Sequence, residues 1–147
     1  MFNIKTIFTP NYERYEGVRP INIYLLRLFY FLMAFFVATD AWRTIITHEG
    51  HWDRFRAMAL CVWAAYATLA VFGLFHPLKW LPIMIFMIFY KSLWLIVVAY
   101  PLWRANELAG SPAEEMTKAF LGVPVAMIAV PWMYVFENYI YKPKKNK

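Results

Sequence analysis

The sequence is poor in cysteine, glycine and charge, and each shortage closes off a class of protein. A single cysteine, Cys61, excludes an internal disulfide framework, a CxxC redox pair and a cysteine-rich metal site. It reads as a small core residue. Five glycines in 147 residues form no Gly-rich phosphate loop, and no internal repeat or low-complexity tract organises the chain. Charged residues are only 16% of the total, against about 25% in a soluble domain. A chain of one-domain length has a high surface-to-volume ratio, and this one has too little polar surface to cover itself in water.

Apolar and aromatic residues make up 62% of the sequence and are gathered into runs. Residues 57–75 carry no charge, 80–103 are interrupted only by Lys91, 119–136 are uncharged, and 21–39 contain Arg27 alone. As helices these runs can cross about 30 Å of hydrocarbon, and they are too long and too little alternating for barrel strands. The expected fold class is all-α: an integral membrane four-helix bundle, a single membrane domain. Its spans lie at about 20–42, 56–76, 78–103 and 117–141, after a segment 1–19 and before a basic tail 142–147.

Local signals set the junctions. Pro20 can open the first helix, and Gly50 reads as its left-handed C-cap. Asp53 can cap the second helix, and His76-Pro77 ends it in a tight return. The third helix is expected to run to Ala109. In the stop and restart at 110–114, Ser111 caps, Pro112 takes the first helical position and Glu114 completes a capping box.

Trp42, Tyr100 and Trp103 are expected at one membrane interface, and Tyr24, Trp80, Tyr139 and Tyr141 at the other, which places both termini on one side. That side carries eight basic residues (Lys5, Arg14, Arg19, Lys79, Lys142, Lys144, Lys145, Lys147) against five opposite (Arg43, Arg54, Arg56, Arg104, Lys118). The positive-inside rule makes it cytoplasmic, in a bacterial inner membrane. The first twenty residues hold no apolar run, so a cleaved signal peptide is not expected. The expected partners are the lipid bilayer, anionic headgroups at the basic tail, and another copy or a membrane-complex subunit; nucleic acid is not expected.

Three charges fall inside the runs: Arg27, Lys91 and Glu137. Counted along their helices, Arg27 and Glu137 lie roughly 10 Å and 6 Å deep and lean toward each other, so they either pair or snorkel separately. Lys91 lies about 18 Å along its span, with no acid at i±3 or i±4. Tyr30, Tyr66 and Thr68 are the polar groups expected at its depth. It reads as a proton-accepting or anion-binding lysine, or as a structural one bonded to tyrosine and backbone. Ala57, Cys61, Ala64, Ala65 and Thr68, followed by Ala70 and Gly73, form a small-residue stripe suited to close packing or an oligomer seam. Pro124 and Pro131 fall on one face of the last helix and release carbonyls there.

The outer loop holds His48, Glu49 and His51, which face Glu107, Glu114 and Glu115 of the next outer loop. Imidazoles and carboxylates suit a divalent metal, although the spacing is not the helical i, i+4 pair; a solvated loop with a helix cap is the plainer reading. No histidine lies within a span to ligate haem, and no cofactor is expected. Arg27 near the start of span one and the tight 76–77 return resemble the layout of small four-span bacterial proteins of the DoxX-like group. That resemblance concerns architecture alone. Small multidrug transporters have a carboxylate in their first span, where this chain has Arg27. The expected function is that of a non-enzymatic accessory or assembly subunit; the alternative is a small transporter or channel using Lys91.

Overall fold

The computed structural model describes residues 4–141, which are 75% helix with no strand. The basic tail 142–147 lies outside the described residues. After a hook of short turns, the principal helices are α1 (Pro20–Ile46), α2 (Arg54–Phe75), α3 (Leu81–Arg104), α4 (Glu114–Ala129) and α5 (Trp132–Ile140). The first three are each long and apolar enough to cross a membrane. The pair α4 and α5 is so only together, and it is bent by 72° across Val130 and Pro131.

Several boundaries follow from local chemistry. Pro20 takes the first position of α1. The Asp53 carboxylate accepts the Arg56 N–H at 2.8 Å and so caps α2. His76 leaves helical geometry ahead of Pro77, and the chain returns into α3 by Leu81.

Three expected boundaries are corrected. Gly50 is left-handed at φ +87°, but α1 has already ended at Ile46 with Thr47 as its C-cap, so Gly50 turns a loop. The third helix stops at Arg104 rather than Ala109. Asn106, at φ 58°, closes a Schellman turn in which Glu107 N–H reaches the Leu102 carbonyl at 2.9 Å and Asn106 N–H reaches that of Trp103 at 3.1 Å. The capping box does not form. Glu114 reaches back to the Gly110 N–H at 2.6 Å, but the Ser111 hydroxyl donates to the Leu108 carbonyl at 2.8 Å, and the helix begins at Glu114.

Helices α1 and α2 make the closest pair. Ala64, Ala67, Ala70 and Gly73 are buried at three-residue spacing, and small side chains let two backbones approach. The fully enclosed Tyr30 ring lies against Gly73, and its hydroxyl donates to the Pro77 carbonyl at 3.0 Å. The core continues through Leu26 and Met33 of α1, Met84, Met87 and Ile88 of α3, and Val123 and Ala126 of α4.

The expected small-residue stripe therefore splits. Ala64, Ala70 and Gly73 face inward, whereas Cys61, Ala65 and Thr68 are exposed, and Cys61 is not a core residue. Burial follows the face that meets α1, turned by roughly one residue's rotation, about 100°, from where the stripe was drawn. Trp42 donates its indole N–H to Thr68 at 2.9 Å and so ties α1 to α2.

The outward faces are apolar. Phe35, Phe36, Phe89, Ile96, Val97, Leu121 and Ile128 are each more than half exposed. That inverts the arrangement of a soluble bundle, and together with helices long and apolar enough to cross a membrane it fits a membrane protein.

Candidate functional site

Lys91 sits on α3 beside an apolar cleft of about 320 Å³ between α1, α3 and α4, with Phe36 and Val37 on one wall and Gly122 and Ala126 on the other. Two local irregularities border this cleft. In α1 the backbone loosens into a π-turn over Met33–Val37, and in α4 the ladder relaxes at Leu121 and Gly122 between Phe120 and Val123. The Lys91 Nζ lies 4.8 Å from the centroid of the Phe120 ring, a cation–π contact. Among the described residues it has no carboxylate within ion-pair distance.

The tyrosines expected beside Lys91 are engaged elsewhere. Tyr66 shares a 2.9 Å hydrogen bond with Tyr90, and Tyr30 is anchored at Pro77. Tyr90 and Phe120 were not singled out in the sequence, because an aromatic in an apolar run carries no positional signal until its neighbours are known. Phe120 packs edge-on against both Tyr90 and Trp94, so the ring under Lys91 is held by an aromatic cluster.

Arg27 and Glu137 are not brought together. Arg27 is half-buried in a cleft with Arg14, Glu16, His76 and Lys79, while Glu137 is exposed on α5 and borders the neighbouring cleft with Asn22 and Tyr134. The Tyr30 to Pro77 bond sets the α2–α3 turn level with Arg27. The bend at Pro131 carries Glu137 sideways along the same end of the bundle. A depth counted along one straight helix does not hold for Glu137, because the 72° bend intervenes. A double-mutant cycle of Arg27→Met and Glu137→Gln, read by unfolding in detergent, is expected to be additive within about 0.5 kcal/mol; coupling near 2 kcal/mol would contradict this separation.

The bend itself is held by polar contacts. Pro131 cannot donate to a preceding carbonyl. The carbonyl of Met127 instead receives the Trp132 indole N–H at 2.8 Å, and those of Ile128 and Ala129 receive the Asn22 side-chain amide at 3.2 and 3.0 Å. Tyr134 donates to Glu16 at 2.8 Å, and Tyr139 donates to the Leu78 carbonyl at 2.9 Å, so α5 lies across the N-terminal hook and the α2–α3 turn. Asn22 was not singled out in the sequence, although a lone amide in the first turn of an apolar helix is a signal that could have found it. Its partners lie more than a hundred residues away. Pro124 does not share the role expected of it with Pro131, since it stands at the start of the helical segment beginning at Val123.

In the outer loop, the His48 ring stacks on Trp52 at 3.4 Å, and no three His, Cys, Asp or Glu side chains among the described residues could share a metal ion. Glu49 and His51 are exposed. Of the facing acids, Glu114 is bound to Lys118 at 2.6 Å; that hydrogen bond, then the one from Gly110, holds its carboxyl below the usual range. Comparison of the chain with family models, with curated proteins and with solved structures finds no match.

Proposed function

We propose that this chain is a four-span protein of a bacterial inner membrane, with both termini cytoplasmic, that serves as a non-enzymatic accessory or assembly subunit of a membrane complex. In this reading α4 and α5 together form the fourth pass. Helix α4 rises only about 24 Å, short of the hydrocarbon thickness, and α5 then turns along the cytoplasmic interface on its Trp132, Tyr134 and Tyr139 side chains. The eight-to-five balance of basic residues supports the orientation.

One observation carries the choice of subunit over transporter. Tyr66 is bound to Tyr90 and Tyr30 to the Pro77 carbonyl, while Ser92 Oγ and Trp94 Nε1, close to Lys91 in sequence, are buried without a hydrogen-bond partner among the described residues. The cleft beside Lys91 has apolar walls. A solute path needs polar groups along its length, and apart from Lys91 every side chain that lines this cleft is apolar.

Lys91→Met is expected to leave the protein folded and as stable or more so, because a long apolar side chain replaces an amine without stranding a carboxylate. Proton and chloride flux in reconstituted vesicles should be indistinguishable between wild type and variant. Capture of the wild-type chain from native membranes should bring down a second integral membrane protein in fixed ratio. Flux that depends on Lys91, together with recovery of the chain alone, would replace this reading with the transporter.

A further inference from the structure

The cleft at Arg27 gathers basic side chains that form no ion pair among the described residues. Its walls come from three segments distant in sequence: Arg14 and Glu16 of the N-terminal hook, Arg27 of α1, and His76 and Lys79 of the α2–α3 turn. They enclose about 310 Å³. Three permanent cations face it against one carboxylate. That carboxylate, Glu16, is drawn toward the adjoining cleft by the Tyr134 hydroxyl at 2.8 Å, and among the described residues it makes no ion pair with any of the three.

Arg27 supplies the second, independent observation. Its Nε is buried with no hydrogen-bond partner among the described residues. A guanidinium presents five donors in a fixed fork, none of which is used within the described residues, and its terminal nitrogens are the ones an acceptor in the cleft can meet. Arg14 lies over the ring of Tyr15, another lining residue, at 5.4 Å.

We propose that this cleft binds the phosphate of an anionic phospholipid. Arginine forks match phosphate oxygens in a bidentate manner, and lysine adds a point charge. The position favours a lipid over a soluble anion. The cleft lies where the uncharged run of α2 ends, beside Phe75, which is 69% exposed and continues outward into the half-exposed Phe72. A phosphate held between Arg27 and Lys79 would thus place acyl chains along an apolar helix face. Basic pockets between helices at the cytoplasmic end of a membrane protein suit such headgroups.

The test uses the full chain in a neutral detergent, titrated with phosphatidylglycerol or phosphatidylcholine and read by native mass spectrometry of lipid-bound protein. Phosphatidylglycerol should bind in preference, and Arg27→Gln and Lys79→Gln should each lower its affinity roughly fivefold, the effect of one charge at a membrane surface. Glu16→Gln should raise it by a similar factor while keeping an acceptor for Tyr134. That opposite sign is not produced by general damage to the fold. Should Arg27→Gln fail to fold, the exposed Lys79 and Glu16 variants decide the matter. Unchanged affinity in the Lys79 and Glu16 variants would overturn the proposal. So would loss of the lipid preference only on neutralising Lys142, Lys144, Lys145 and Lys147, which would assign it to the tail. Displacement of the lipid by equimolar inorganic phosphate would overturn the lipid as occupant and assign the cleft to a free anion.

Discussion

Gly73→Ala is expected to destabilise the bundle by about 1–3 kcal/mol, the usual result of adding a methyl group to a packed core. A Cβ at this position would lie 2.5 Å from Cδ1 of Tyr30 and 2.6 Å from two further ring atoms. The ring has little room to yield. It is fully enclosed and tethered at its far end by the 3.0 Å bond to Pro77, so either α1 moves away from α2 or that bond breaks. Thermal unfolding in detergent reads the loss. The cause is isolated by Tyr30→Leu: the double variant should be more stable than the sum of the two single losses predicts, because the clashing ring is gone. A stable Gly73→Ala protein would mean that the α1–α2 contact is looser than described.

Asn22→Leu should cost about 1–2 kcal/mol, since one amide serves two carbonyls that the Pro131 break leaves without helical donors. The upper end of that range requires both carbonyls to go unsatisfied. Water at this end of the bundle can replace the amide in part, and polar contacts within membranes average only about 0.6 kcal/mol each, so the two together set the lower end. The structural consequence is the more specific readout. Without the amide, α5 should loosen from the hook, seen as faster hydrogen exchange of the amides of residues 130–135. Asn22→Gln, a longer side chain with the same donor, should recover part of the protection. Unaltered exchange in Asn22→Leu would show that Trp132, Tyr134 and Tyr139 hold the bend without it.

Sequence by itself determined what depends on near neighbours. The length of an apolar run decides whether a helix can span hydrocarbon, and three such helices and a fourth apolar stretch were legible on that ground alone. Pro20, Asp53 and His76-Pro77 act within one helical turn, and each stands where local chemistry places it. The outer loop and the Ser111 turn were legible only in part. Asn106 could take the left-handed position that was assigned further along the chain, and a serine hydroxyl can donate backward as well as cap forward.

Only the tertiary structure decided which of these residues meet. The shift of α1 relative to the α2–α3 turn places Arg27 level with Lys79, and the bend at Pro131 turns Glu137 away from it. Neither is encoded in a spacing. The rotation of α2 about its axis buries Ala67 and exposes Cys61, and that rotation is set by the fit of Tyr30 over Gly73. Helix length and capping are fixed by interactions over three or four residues. Axial shift, rotation and bend are fixed by contacts between helices, such as Asn22 with Ala129 or Tyr139 with Leu78, whose partners are tens of residues apart and have no periodic signature.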